Sequence, residues 1–199
     1  MNFTEFKLNA QILSGVKELG YETATPIQEK AIPSILAGLD VVGTAQTGTG
    51  KTAAFALPLL QRLMDGPRGQ LRGLILAPTR ELAEQIRQSI DRLAIRTGLR
   101  CTAIYGGANL VKQYQILRRG VDIVIACPGR LLDHINRGNI NLTQVEVLVL
   151  DEADHMFDLG FREPIYKIIR HLPKKRQNLL FSATMSSVGQ CSIFTSLLA

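Results

Sequence analysis

The sequence predicts an α/β domain: a mostly parallel sheet with helices on both faces. Three observations predict it. Six short runs rich in Val, Ile and Leu recur along the chain without alternating with polar residues, which is how strands buried on both faces read. Helical patterns separate the runs, and strands alternating with helices imply parallel pairing. Glycines, carboxylates and hydroxyls cluster where the runs end, the edge at which open α/β sheets gather ligand groups.

Taken in order, residues 1–38 precede the alternation. "NAQILSGVKELG" reads as a helix closing at Gly20, and "TPIQEKAIPSILAG" as a second helix starting behind Pro26. Both belong to a helical segment expected to pack on a main domain that spans residues 39–185. The expected strands are "DVVGTA" (40–45), "GLILAP" (73–78), "CTAIYG" (101–106), "DIVIAC" (122–127), "VLVLD" (147–151) and "NLLFSA" (178–183). In "RELAEQIRQSIDRLA" (80–94), Leu82, Ile86, Ile90 and Leu93 share one face at helical spacing. Strand order is not readable from this pattern. The last fourteen residues (186–199), "SSVGQCSIFTSLLA", carry no charge and read as an atypical tail, or as a plain helix with Ile193, Phe194, Leu197 and Leu198 on one face.

Bulk properties narrow the setting. A chain of 199 residues suits one well-cored domain. Lys and Arg number 23 against 17 Asp and Glu, an excess that favours a polyanionic partner without establishing one. Cys101, Cys127 and Cys191 are odd in number and form no CxxC pair. A reducing, cytoplasmic compartment is therefore expected, with no disulfide framework or zinc site. The N-terminus shows no basic start leading into an apolar stretch, and no run approaches the length of a membrane span.

Between the first strand and the next helix stands "AQTGTGKT" (45–52). The backbone N–H groups of Thr47, Gly48, Thr49 and Gly50 can close around an anion where no Cβ blocks the approach. The following helix aims its positive end there, Lys51 adds a charge for the β- and γ-phosphates, and Thr52 offers a hydroxyl to Mg²⁺. Ala45 stands where the usual pattern has its first Gly. A flexible turn is the plainer alternative, but the combination behind a buried strand favours phosphate. In "VLVLDEADHMFD" (147–158) an apolar run delivers Asp151, Glu152 and Asp154. Taken alone they read as a solvated turn. Beside a phosphate loop, Asp151 suits a hard cation and Glu152 suits a general base for an attacking water.

"DEAD" (151–154) together with "AQTGTGKT" resembles the DEAD-box ATP-dependent RNA helicases, and the resemblance runs from Phe3 to Met185. "GYETATPIQ" (20–28) resembles their Q motif, and "PTRELA" (78–83), "GG" (106–107) and "SAT" (182–184) follow in the family's order. The wording is similar to that of bacterial members, the RhlE-like group in particular. The resemblance implies the N-terminal RecA-like P-loop domain of a two-domain ATPase with ATP and Mg²⁺ as ligands and RNA as partner. It gives Gln28 the adenine edge, Phe3 a packing surface for the base, and Glu22 and Thr23 backbone contacts. It makes Lys51, Asp151, Glu152, Ser182 and Thr184 catalytic, with Ser182 and Thr184 bonding the DEAD carboxylates, and Thr52 and Asp151 the metal-binding pair.

The same resemblance lays RNA, with little base preference, along Pro78, Thr79, Arg80, Gly106, Gly107, Gly129 and Arg130. An N-cap, a solvated arginine and a plain glycine turn account for several of these equally well on sequence alone. "ACPGRLLDH" (126–134) departs from the family's Thr-Pro-Gly-Arg: Cys127 is a weaker hydrogen-bond donor than threonine. His155 reads as capping a turn or reporting on the interdomain face. The family's second RecA-like domain supplies arginines to the transferring phosphate, and these 199 residues resemble the first domain alone. A non-catalytic RNA- or partner-binding module and a P-loop ATPase without RNA are the rival readings.

Overall fold

The computed structural model describes residues 1–46 and 48–183. The six expected strands form within two residues of the runs read from sequence: β1 (Val41–Thr44), β2 (Gly73–Leu76), β3 (Cys101–Ile104), β4 (Ile123–Ala126), β5 (Val147–Leu150) and β6 (Gln177–Ser182). The helices are α1 (Ala10–Glu18), α2 (Pro26–Leu36), α3 (Lys51–Met64), α4 (Arg80–Leu93), α5 (Leu110–Arg118), α6 (Pro128–Asn136), α7 (Ala153–Asp158) and α8 (Arg162–Ile169), with a 3₁₀ turn at Phe3–Phe6 ahead of them. Thr47 in the glycine loop, Thr184 of SAT, and the uncharged tail with Cys191 lie outside the described residues. Among the described residues no helix is long and apolar enough to cross a membrane.

The strands pair in the order β1-β6-β5-β2-β4-β3, and every pairing is parallel. The C-terminal ends of all six strands therefore lie along one edge. The period of two along each strand divides the core. Ile75, Ile123, Ile125, Val147, Val149, Leu179 and Phe181 face a cluster shared with α1 to α4. Leu74, Leu76, Val124, Ala126, Leu148, Leu150 and Leu180 face the opposite cluster, with Leu131 of α6, Met156 of α7, and Ile165 and Ile168 of α8. Both faces are covered, which explains why the runs carry no polar alternation.

Helix α3 is apolar nearly all round. Phe55, Ala56, Leu57, Leu60 and Leu63 are fully buried, and the helix lies among α1, α2 and α4. Phe3, Phe6, Ile12, Val16, Ile32 and Ile35 of the N-terminal segment enter the same cluster. Burying such a side chain stabilises by about 1.5–3 kcal/mol, so this segment is held firmly where it meets the glycine loop.

Helix α1 crosses the end of α4 at Gly15. A Cβ there would sit 2.4 Å from the carbonyl oxygen of Leu93. In an open helix Gly→Ala stabilises by roughly 0.5–1 kcal/mol. Here the contact is backbone and cannot move aside cheaply, so the sign reverses. Gly15→Ala should destabilise by about 1–3 kcal/mol, read from its urea midpoint. A midpoint equal to or above the parent's would show that α1 and α4 do not approach this closely.

Candidate active site

The glycine loop leaves β1 and enters α3. Gly48 and Gly50 have φ of 86° and 90°, the left-handed region that a glycine enters without a steric penalty. A Cβ on Gly50 would also lie 2.4 Å from the Gln28 amide nitrogen. The loop is held from outside by the start of α2. The Thr25 hydroxyl donates to the Thr49 carbonyl at 2.8 Å, and Gln28 Nε2 donates to the Gly50 carbonyl at 3.0 Å. Within the loop, the Thr49 hydroxyl donates to the Gln46 carbonyl at 2.7 Å.

Lys51, the first residue of α3, is 6 % exposed, and its Nζ is buried without a hydrogen-bond partner among the described residues. The facing group is Asp151 Oδ1, 3.9 Å away, too far for a hydrogen bond. Asp151 is itself buried at the end of β5. Burial pushes its carboxyl up to about 6, Lys51 opposes the rise, and Glu152 adds to it. A buried ammonium, a buried carboxylate and a turn with glycines at 48 and 50 match an anion arriving with a divalent cation. Lys51 and the loop N–H groups fit the phosphates; Asp151 and the half-buried Thr52 fit the metal.

Glu152 has φ 51° and ψ 51°, a left-handed conformation costing a non-glycine residue about 1–2 kcal/mol. Its N–H donates to Asp151 Oδ1 at 3.0 Å, and its Oε2 lies 3.4 Å from His155 Nδ1. Ser182 is buried at the end of β6, and the next N–H, of Ala183, donates to Asp154 Oδ2 at 3.2 Å. This bond to the Asp154 carboxylate joins the SAT and DEAD segments; Thr184 lies outside the described residues.

Two residues of the Q-motif region, Phe3 and Gln28, are buried. Phe3 does not offer an open face to a base: it is 2 % exposed, edge-on to Phe6 and stacked on Tyr21. The capped 3₁₀ turn directs both of its phenylalanines into the core, and the exposed aromatic here is Tyr21. Gln28 is 3 % exposed, and its amide already has protein partners: Oε1 accepts from the Thr25 N–H at 2.9 Å while Nε2 donates to Gly50. One N–H and one lone pair remain for a ligand. Alongside lies a pocket of about 280 Å³ lined by Pro26, Ile27, Lys30, Thr44, Ala45 and Thr49. Glu22 and Thr23 are exposed, and Thr23 bridges to Asn2.

The remaining motif residues gather at the ends of β2, β4 and β3. Pro78 is buried; Thr79 caps α4 by accepting from the Leu82 N–H at 3.2 Å; Arg80 is exposed and lies over the Tyr105 ring at 5.0 Å. Gly106, Gly107 and Gly129 are exposed. Cys127 occupies the N-cap of α6 but makes no capping bond, and burial pushes its thiol up to about 11. Arg130 stands in the first turn of α6. It turns inward, donating to the Ala108 carbonyl and to Gln113 Oε1, both at 2.9 Å, and its side chain is 12 % exposed.

The Asp151 carboxyl should titrate near pH 6 in the unliganded protein, followed by carbon NMR of labelled aspartate. Lys51→Met should move that midpoint higher, because Lys51 favours the ionised form. Proton and metal compete for the same oxygens, so affinity for Mg²⁺-nucleotide should be flat above that pH and fall below it. A midpoint near 4, or no response to Lys51→Met, would contradict the assigned burial and pairing.

With this geometry in view, the comparisons are specific. The DEAD/DEAH box helicase family profile matches residues 25–190. The chain is 49 % identical over 183 residues to the ATP-dependent RNA helicase CshA of Listeria monocytogenes, covering 92 % of this chain and 35 % of that protein. It is 49 % identical over 187 residues to the ATP-dependent rRNA helicase rrp3 of Emericella nidulans, covering 94 % and 40 %. The crystal structure of a DEAD box protein from the hyperthermophile Methanococcus jannaschii superposes with a TM-score of 0.91 at 40 % identity, over 98 % of this chain and 53 % of that one. The chain thus spans about a third to two fifths of the length of these curated relatives. Fold, motif order and sequence agree that this chain belongs to the DEAD/DEAH box helicase family, as its N-terminal RecA-like domain.

Proposed function

We propose that this chain binds ATP and RNA as one half of an ATP-dependent RNA helicase, hydrolysing ATP to open short duplexes together with a second RecA-like domain. The observation that carries the reading is the buried ammonium of Lys51, without a hydrogen bond among the described residues, facing Asp151 beside the glycine turn. Such an arrangement costs stability unless a ligand completes it. Supporting it, the relatives in CshA and rrp3 are named ATP-dependent RNA and rRNA helicases.

In this reading the loop N–H groups and Lys51 bind the β- and γ-phosphates, and Thr52 with Asp151 hold Mg²⁺. The metal, when bound, neutralises charge on the phosphate oxygens. Glu152 orients a water and accepts its proton. Gln28 keeps one N–H and one lone pair beside the 280 Å³ pocket, the pair of functions that adenine matches and guanine reverses. Arg80, the Thr79 end of α4, and the Gly106, Gly107 and Gly129 backbone take up RNA phosphates with little base preference. Ser182, Thr184 and Asp154 join the two activities. The free thiols of Cys101 and Cys127 suit a reducing cytoplasm.

The 199 residues hold a nucleotide from one side. Without the arginines that the second domain supplies in this family, the barrier should rise by ~4–7 kcal/mol. The chain alone should therefore show trace ATPase and no unwinding. RNA-stimulated turnover should appear when a separately produced second domain from a relative is added, and Glu152→Gln should abolish that turnover while still binding ATP. Robust RNA-stimulated hydrolysis by the chain alone would overturn the two-domain reading. RNA crosslinking with no turnover in the mixture would favour a binding module instead.

A further inference from the structure

We propose that α8 and the loop leading into β6 form a second RNA surface, one that meets only phosphate and takes the backbone of RNA extending beyond the sheet edge that carries the motifs. The inference rests on the RNA-binding reading above and adds to it a contact outside the motifs.

The positive charge of the chain is concentrated in one short stretch. Residues 162–176, "REPIYKIIRHLPKKR", hold six of the 23 Lys and Arg but one of the 17 Asp and Glu. Five of the net six positive charges therefore lie in fifteen residues, and the rest of the chain is nearly neutral. Charge gathered on one element in this way is the electrostatic footprint of a polyanion partner.

The fold turns the stretch into a surface. Ile165 and Ile168 of α8, and Leu172 just beyond it, are buried in the core cluster. At 3.6 residues per turn, Arg162, Lys167 and Arg170 fall within an arc of about 140° on the opposite side of the helix. All three are exposed, and Glu163 is the one acid among them. The loop that follows is held in shape by Arg176. Its Nη1 donates to the Pro173 carbonyl at 2.7 Å and its Nε to Asn178 Oδ1 at 2.9 Å. The Asn178 N–H donates in turn to Asp40 Oδ1 at 2.6 Å. Lys174 and Lys175 stand exposed between these anchors.

No acid offsets this charge. Among the described residues, none of Arg162, Lys167, Arg170, Lys174 and Lys175 forms an ion pair. By contrast, Arg62 and Arg72 share Glu146, Arg87 meets Glu84 and Asp91, and Arg96 meets Glu18. Nor does the stretch expose a large apolar side chain, so it lacks the anchors that hold protein interfaces together. Tyr166 is half-buried, with the Arg162 guanidinium 5.8 Å from its ring centroid. Cationic groups without an open stacking platform read phosphate and not base.

The topology connects the surface to the motifs. β5 delivers the chain to the motif edge, and α7 and α8 carry it back to the start of β6 at the opposite edge. α8 packs on α6, which begins at Pro128 among the proposed RNA-binding residues. The basic stretch therefore runs down the side of the domain, away from the motif edge. A short strand occupies that edge alone, and a longer one reaches α8.

RNA length and salt separate the two surfaces. Each phosphate contact on a single strand steepens the plot of log affinity against log salt by about 0.7. The test measures binding of oligouridines of about ten nucleotides, and of about three times that length, to the 199-residue chain over a KCl series. The parent should show a steeper slope for the long RNA than for the short one. Two double variants, Lys174→Gln with Lys175→Gln and Lys167→Gln with Arg170→Gln, should each flatten the long-RNA slope by about 1.4 and weaken long-RNA binding roughly tenfold at low salt. Both should bind the short RNA and ADP as the parent does. Lys17→Gln with Arg92→Gln, which removes two exposed charges from α1 and α4, should leave both slopes unchanged. If the parent's two slopes are equal, or if the α8 and loop variants behave like the Lys17 and Arg92 control, the proposal is wrong. If polyglutamate displaces the long RNA as well as unlabelled long RNA does, the surface takes acidic protein and the assignment to RNA is overturned. A parent that binds neither oligouridine refutes the RNA reading itself. One that binds the short RNA and gains no slope with length refutes this proposal alone.

Discussion

Everything functional in this chain depends on six strands running the same way. Parallel pairing sends every strand's C-terminal end to one edge, and each loop leaving that edge carries a motif. The order of the strands then divides them. The glycine loop, SAT and DEAD leave β1, β6 and β5, which are neighbours. PTRELA, the Cys-Pro-Gly-Arg turn and the glycine pair leave β2, β4 and β3, also neighbours. On the reading proposed above, one half of the edge would take a nucleotide and the other a polyanion backbone. The two halves meet where β5 pairs with β2, with Asp151 donating its N–H to the Leu76 carbonyl at 3.0 Å.

The half formed by β1, β6 and β5 is held in a form that does not suit an isolated protein. Lys51 and Asp151 are both buried, yet they stand too far apart to bond. Glu152 occupies a left-handed backbone conformation that its side chain disfavours. Each feature lowers stability and each is in place before a ligand arrives. The apolar runs of β5 and α3 provide the rigidity that sustains them, with Leu148, Leu150, Phe55 and Leu57 almost fully buried around the site. Preorganisation of this kind lets binding energy act on the phosphates without first rearranging the protein.

The strands were legible because burial on both faces leaves an unmistakable apolar run, and the motifs were legible because phosphate chemistry restricts which residues can serve. Strand order was not, since pairing β1 with β6 joins residues such as Val41 and Leu179 that are remote in sequence and carry no mark of each other. Motifs also name residues without saying where their side chains turn. Phe3 is expected to pack against a base and lies in the core; Arg130 carries hydrogen bonds to Ala108 and Gln113 that its motif does not announce. Gln113 escaped notice altogether. A glutamine within "LVKQYQIL" looks like any solvated helix position, and only its burial between α5 and α6 reveals a donor and an acceptor in use.

The division of the sheet edge is the central claim, and backbone amide NMR tests it directly. Mg²⁺-ADP and a short single-stranded RNA would be titrated separately into the labelled chain. The account predicts that nucleotide perturbs residues 45–52, 151–154 and the Ser182 end of β6, together with the Thr25–Gln28 turn. RNA should perturb residues 78–81, 105–108 and 127–130. The two sets should meet only at the β5–β2 boundary. RNA shifts centred on the opposite end of the sheet, around the pocket formed by Gln70, Asn139 and Gln144, or the same residues responding to both ligands, would contradict it.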